Sequence, residues 1–421
     1  MILIPFIFFS FLTGYWWHKH GSVDICVYMS ALYALTSLLA IVIVVSELLG
    51  EGGILYDNDN GHYGVIPTFL YCACISITLL PFSLIYGKDI KKITINAPWA
   101  VDLLSWMFIA LSFLNLYLVA DSTLDILQGD LGKIRSDAYA GVESPAALKA
   151  ESLPFILGFF YYFNASTLLS IPIFFYNICF RKKAWWFNGL LLFASLSMPI
   201  VGIQQADRTE IVFYGLMLLF CLVFFYRYLS KKAKWTLLAI GAPIVAASVV
   251  YLTAVSQARF DVKNSSGSGA RTIQYGGQGY LNFCYFYEEG KFEYLTTERI
   301  FPFTNHYVYR KDSNMDRREE RSGEQGFFMS VFATFIGDLM IDISPLGMVF
   351  WTISYFLVLM LLIRRSHREE FDISELILLF LLAVVPIFGI FYYRFFYFTN
   401  TLTFVLAIGL LFASHYKLVL K

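Results

Sequence analysis

A helix needs about 20 apolar residues to cross the hydrocarbon core of a bilayer, and this chain is a succession of such runs. They lie at residues 2–17, 25–49, 65–86, 100–120, 154–178, 186–206, 210–229, 236–256, 344–363, 373–393 and 396–416. Lipid offers no partner to a backbone N–H or C=O, so each run has to satisfy its own hydrogen bonds as a helix. The expectation is an all-α, polytopic membrane protein with about eleven transmembrane helices. Composition points the same way: 58% of the residues are hydrophobic and 15% charged, whereas soluble domains are about half apolar and a quarter charged. The short first run, Met1 to Trp17, has no basic leading region and no small-x-small cleavage site, and it ends in Tyr15-Trp16-Trp17. It reads as an uncleaved helix with an aromatic anchor.

Basic residues give the chain a direction. Alternate short connections carry Lys19; Lys88, Lys91 and Lys92; Arg181, Lys182 and Lys183; Lys231, Lys232 and Lys234; Arg364, Arg365 and Arg368; and finally Lys417 and Lys421. The opposite connections are nearly bare, and Glu51 to His62 has no Lys or Arg. By the positive-inside rule the basic side is cytoplasmic, with the N-terminus outside and the C-terminus inside. Net charge is zero, and no segment reads as an arm for nucleic acid. Five of the six cysteines lie in apolar runs and only Cys284 falls in a polar loop, so no disulfide framework is expected.

The chain is expected to form a single integral membrane domain, residues 1–421, with two elaborated outer loops at 121–153 and 257–326. Loops of that length are usually functional or disordered. The second opens on Asn264-Ser-Ser-Gly-Ser-Gly269 and then becomes aromatic from Tyr275 to Tyr309, which a disordered tether would not do. Thr272 to Tyr287 is expected to be an interfacial amphipathic helix under a loop that covers an outward-facing cavity. Residues 327–343 are apolar but contain Gly337, Asp338 and Asp342 and are followed by Pro345. They read as a re-entrant or interfacial half-helix.

Ionisable groups on the outer side of so apolar a chain are the informative ones. Arg208, Arg259 and Arg394 fall at outer helix ends, and Arg135 and Arg271 lie on loops able to fold over them. An arginine keeps its charge at any relevant pH, and its planar fork grips phosphate oxygens in pairs. The five together suit a lipid-linked diphosphate, although Arg208 also has Asp207 and Glu210 as local partners, and Arg259 has Asp261. His306 on the second loop is a candidate general base. Asp338 and Asp342, four apart, would share a helix face and are candidates to orient an acceptor hydroxyl or to bind a cation with waters. Glu210, at the start of a run, suits a helix N-terminus. Tyr275, Tyr280 and Tyr307 are candidates to stack on sugars. There is no HExxH, no phosphate-binding lysine loop and no His or Cys set at zinc spacing, so neither a metal nor another cofactor is called for.

Three pieces carry a resemblance to a known family. They are Ala206-Asp-Arg208 at a tight outer turn, Tyr275-Gly-Gly-Gln-Gly-Tyr-Leu-Asn282, and Phe332-Ala-Thr-Phe-Ile-Gly-Asp-Leu-Met-Ile-Asp-Ile-Ser-Pro-Leu-Gly347. With the run pattern and the two outer loops, the chain resembles the Wzy-type polymerases of O-antigen and capsular polysaccharide repeat units. It departs from them at Ile343-Ser344, where relatives more often carry an aromatic residue and a glycine. The resemblance implies a GT-C-like arrangement of helices in a bacterial inner membrane, with a periplasmic N-terminus and periplasmic loops. It implies, as substrate and partner, an oligosaccharide unit on undecaprenyl diphosphate within membrane lipid, delivered by a flippase and worked on beside a chain-length regulator. A hydroxyl of the incoming unit would attack the anomeric carbon, and undecaprenyl diphosphate would leave. Two alternatives stand beside this one. An O-antigen ligase would use a His in a longer outer-loop motif, whose glycine spacing His306 does not reproduce. A flippase would line a central path with charge at mid-membrane depth.

Overall fold

The computed structural model describes residues 1–48, 54, 64–85, 90, 92–128, 145–204, 207–260, 268–292, 300, 322–323, 326–327, 329, 331–365, 370–396 and 398–416. It is a helical membrane protein. Among the described residues, six helices are long and apolar enough to cross a bilayer: Ile25–Val45, Val65–Leu84, Pro98–Ala120, Trp185–Ile203, Lys231–Thr253 and Thr334–Arg364. A seventh span exists if Phe155–Tyr161 and Asn164–Arg181, bent by 49° at their junction, are counted as one. By this measure the expected eleven is not reached. The runs at 210–229, 373–393 and 396–416 form shorter helices, Thr209–Phe225, Ile373–Phe388 and Thr399–His415. The first run forms a helix whose last turn, His18-Lys19-His20, is strongly polar.

In chain order the helices used below are α1 (Leu3–His20), α2 (Ile25–Val45), α3 (Val65–Leu79), α4 (Pro98–Gln128), α5 (Pro145–Glu151), α6 (Phe155–Tyr161), α7 (Ser170–Tyr176), α8 (Trp185–Ser195), α9 (Ser197–Gln204), α10 (Thr209–Phe225), α11 (Lys231–Phe260), α12 (Ser268–Glu289), α13 (Thr334–Arg365), α14 (Ile373–Phe388) and α15 (Phe398–His415). Strands β1 (Lys92–Thr94) and β2 (Glu370–Asp372) pair in a two-stranded sheet. The chain divides into two compact units. The first comprises Met1–Lys91, Gly269–Glu370 and Leu379–Thr401, and the second Lys92–Ser268, Phe371–Leu378 and Leu402–Lys421.

In the first unit α1 and α2 form a hairpin. Asp24 caps α2 by accepting from the N–H groups of Cys26 and Val27, each at 3.0 Å, and it also pairs with the buried His20 at the end of α1. One acidic side chain thus satisfies two orphan donors of α2 and ties it to α1. Helix α12 packs on α2 through a glycine face. A Cβ on Gly277 would lie 2.6 Å from the Ala40 nitrogen and 2.6 Å from Ile43 Cδ1, and one on Gly276 would lie 2.4 Å from Leu39 Cδ1. Small residues are what let two backbones approach this closely. The helix expected over 272–287 is therefore present, and its Phe283, Cys284 and Phe286 are fully buried within the unit. Cys284, read as a loop residue, is one of six free thiols and lies inside.

The second unit packs α4 against α8 and α9, with the stretch around Asn164 between them. Asn115 of α4 donates to the Asn164 side chain, and Ser195 of α8 shares a hydrogen bond of 3.0 Å with Tyr214 of α10. The sheet is held at Asp372, whose carboxylate accepts from the Asn96 N–H at 3.0 Å and from the Ser374 N–H at 2.9 Å.

Candidate functional site

The sequence of α13 forces a break in the middle of a long helix. Pro345 has no N–H to donate and its ring disfavours a helical residue before it. Ile343 (φ −126°, ψ 17°) and Ser344 (φ 69°, ψ 167°) accordingly leave the helical region. The helix restarts at once, with Pro345 in its first turn, where a missing N–H costs nothing, and with the Ser344 hydroxyl accepting from the Gly347 N–H at 3.4 Å. Ser344 occupies a backbone region that is nearly exclusive to glycine.

A second break faces the first half of α13 from within the same unit. Helix α14 carries Pro386, which cannot donate to the Leu382 carbonyl one turn earlier. The Tyr355 hydroxyl donates to that carbonyl instead, at 2.6 Å, and the Tyr33 hydroxyl donates to the Pro386 carbonyl at 2.7 Å. Tyr355 of α13 thus takes up the carbonyl that the proline leaves open, and Tyr33 of α2 a carbonyl in the last turn of the helix. Beyond Phe388 the chain is irregular as far as α15, and it runs back along α13. The Thr334 N–H donates to the Phe391 carbonyl at 2.9 Å and the Phe335 N–H to the Gly389 carbonyl at 2.9 Å. The Tyr393 N–H in turn donates to Asp338 Oδ2 at 2.8 Å. Gly389 is required by the close approach, since a Cβ there would meet the Phe335 ring at 2.6 Å.

These two breaks bring Asp338 together with the segment that carries Arg394. Asp338 and Asp342 are 2% and 0% exposed, so the pair lies within the unit, away from solvent. Arg394 is 3% exposed; it donates to the Tyr392 hydroxyl at 2.9 Å and lies 5.5 Å above the Phe388 ring. Its backbone carbonyl accepts from Asn400 Nδ2 at 3.0 Å. Arg271 is also buried, and it donates to Gln274 Oε1 at 3.2 Å near the start of α12. Non-helical backbone and ionisable side chains inside a membrane protein are tolerated where protein surrounds them, and such groups are the first candidates for a functional site.

Sequence reading missed the polar stripe that runs down α12. Arg271, Gln274, Gln278 and Asn282 recur at helical spacing and all are buried. Gln274 Nε2 donates to the Leu48 carbonyl at 3.0 Å, and Asn282 Nδ2 donates to the Phe332 carbonyl at 2.9 Å. The three-and-four spacing was a visible signal, but it was obscured because the aromatic residues between these positions suggested a surface helix. Tyr275 lies against the Phe332 ring at 5.6 Å. Tyr280 is 2% exposed, shares a 2.8 Å hydrogen bond with Thr68 and packs 4.9 Å from the Tyr71 ring, which leaves it no open face for a sugar.

The remaining candidates fall elsewhere. Arg208 belongs to the second unit. It is half-buried at the start of α10, beside Asp207, which accepts from the Thr209 N–H at 2.9 Å. Glu210 sits in the first turn of that helix, as expected of a carboxylate there. Arg259 lies in the last turn of α11, and its side chain is outside the described residues, as are Arg135, His306 and Tyr307 altogether. Among the described residues, no three of His, Cys, Asp and Glu converge in a way that would hold a metal ion. Comparison with family models, with curated proteins and with solved structures finds no match to this chain.

Proposed function

We propose that the protein is a glycosyltransferase of the Wzy-type class. It would join undecaprenyl-diphosphate-linked oligosaccharide repeat units into O-antigen or capsular polysaccharide on the periplasmic face of a bacterial inner membrane. The observation that carries this reading is the buried set of Asp338 and Asp342 on the interrupted helix α13 and Arg394 on the irregular segment after α14, all in one unit. In that reading Arg394, assisted by Arg271 of the same unit, neutralises the negative charge that grows on the diphosphate as it leaves. Electrostatic stabilisation by fixed donors is the largest catalytic contribution in many enzymes. Asp342 or Asp338 orients the attacking hydroxyl, and His306 is the further candidate to take its proton. The polytopic reading of about eleven crossings, the GT-C-like arrangement and the periplasmic N-terminus belong to this proposal, as do a flippase and a chain-length regulator as partners.

A second reading has an observation of its own. The four ionisable groups Arg271, Asp338, Asp342 and Arg394 are all buried within the first unit, which is where a transporter of lipid-linked oligosaccharide would also place charge. The test replaces the native copy by Arg394→Lys, which keeps the charge but loses the planar fork. Surface glycan is displayed as a ladder, with protein level measured in the membrane fraction. Loss of long polymer with single capped units retained supports polymerisation. Loss of the single units as well moves the function to transport or ligation. An unchanged ladder removes Arg394 from the site and the proposal with it.

A further inference from the structure

The second unit holds a charged and aromatic cluster that the proposed chemistry does not use. Helices α7 and α10 run side by side, with the Phe175 and Phe225 rings stacked at 5.6 Å and, one turn further on, Phe180 and Tyr228 at 5.2 Å. Helix α7 then ends in a wide π-type turn, Asn177–Arg181, closed by Lys182 at φ 50° with its N–H donating to the Asn177 carbonyl at 2.7 Å. Such turns inside α-helices are rare and are often found at functional sites. Here the turn aims two cations at one carboxylate. Arg181 grips Asp102 with both terminal nitrogens, at 2.6 and 3.0 Å, and Lys183 adds a third bond of 3.1 Å.

One carboxylate between two cations leaves the trio positive. Lys182 adds an exposed charge beside it. Arg227, next to Tyr228, and Lys234, whose ammonium lies 3.8 Å from the Tyr226 ring centre, stand at the adjoining end of α10 and start of α11. The nearby acid Asp372 is buried and holds Asn96 and Ser374. Around these cations lies an exposed indole ledge. Trp185 is 86% exposed, Trp106 packs 6.3 Å from Trp186, and Lys183 lies 5.7 Å from the Phe187 ring.

We infer that this cluster is a binding site for an anionic phospholipid, with Arg181, Lys182 and Lys183 on the headgroup phosphate and Trp106, Trp185 and Trp186 along the glycerol and upper acyl region. Exposed indoles beside cations are the side chains that settle at headgroup depth, and basic clusters at helix ends draw anionic lipid. A free phosphate would need the cations but would give no reason for three outward tryptophans. The fork on Asp102 fixes Arg181 in place, so little side-chain freedom remains to be lost when lipid binds. The site is independent of the polymerase reading and would stand if that reading failed.

The test uses the full chain in nanodiscs of phosphatidylcholine with a minor share of phosphatidylglycerol, and counts by native mass spectrometry the lipid retained as the discs are stripped. The wild type should keep phosphatidylglycerol in preference to phosphatidylcholine. Lys182→Gln, at an exposed side chain, should weaken that retention about fivefold, following ~1 kcal/mol per basic residue at a charged surface. Trp185→Ala should lower retention of both lipids. Equal retention of the two lipids by the wild type, or undiminished preference in Lys182→Gln and in the Lys182→Gln/Lys183→Gln double variant, overturns the proposal. Displacement of the retained lipid by millimolar inorganic phosphate also overturns it, because the site would then be one for free anions.

Discussion

The two units bury different kinds of polar group. In the first, Arg271, Asp338, Asp342 and Arg394 are all within a few per cent of complete burial, and so are the amides of Gln274, Gln278 and Asn282. In the second, the buried polar groups are mostly amides and hydroxyls, such as Asn115 with Asn164 and Ser195 with Tyr214. There the ion pair of Asp102 with Arg181 and Lys183 is only partly buried, at a helix end. Neutral pairs of the second kind hold helices together cheaply. Buried charge is costly in hydrocarbon and is kept where a ligand or a reaction needs it. The contrast therefore directs the search for chemistry to the first unit, although both units are built from the same apolar runs.

The largest expected difference between the units lies in their glycines. Gly277→Leu should destabilise the first unit by about 3 kcal/mol or prevent folding, because the new side chain would drive into the α2 backbone. Gly215→Ala in α10, where nothing lies within 4 Å of an added Cβ, should be neutral or stabilising by up to ~1 kcal/mol. Thermal unfolding of the purified proteins in nanodiscs separates the two, and equal losses would break the comparison.

Next comes the price of removing a polar partner. Asp338→Ala leaves the Tyr393 N–H without its 2.8 Å acceptor inside the protein and should cost about 1–3 kcal/mol. Asn115→Leu in the second unit removes the donor of a neutral amide pair and should cost only ~0.6 kcal/mol, the average for such bonds in membranes. If Asn115→Leu proves the more damaging, the buried charge of the first unit is not the more tightly held.

The smallest effect concerns strained backbone. Ser344→Gly relieves a residue at φ 69°, ψ 167° and gives up only a long capping bond, so it should stabilise by ~1–2 kcal/mol. Lys182→Gly, at the ordinary left-handed φ 50°, ψ 40°, should gain less, up to ~1 kcal/mol. A gain at Lys182 exceeding that at Ser344 would mean that the α13 break is less strained than its dihedral angles indicate.

Much of the architecture was legible without coordinates. The helical membrane class followed from run length and polarity, because a backbone in lipid has to satisfy itself locally. The break after Asp342 was visible as Gly337, Asp338, Asp342 and Pro345 in one stretch. The count of spans was not legible to the same degree: a run such as 210–229 becomes a helix of 17 residues, since packing and turns, and not hydropathy, decide where a helix ends. Arg394 and Asp338 were legible as unusual residues, but nothing in their spacing announced that Tyr393 and Asp338 meet across 55 residues. The glycines of Tyr275 to Asn282 were legible only as part of an amphipathic helix, and contact with α2 shows Gly276 and Gly277 to be a packing face.

What the sequence determined by itself is therefore what local physics controls: apolar length, helix formation, proline breaks and the placing of basic residues at one set of connections. What only the tertiary structure decided is which of those elements touch. It put the α12 stripe inside, buried the two aspartates, and turned the segment after α14 back along α13. Those outcomes rest on hydrogen bonds and close backbone approaches between residues far apart in the chain, whose energies exist only once the helices have packed.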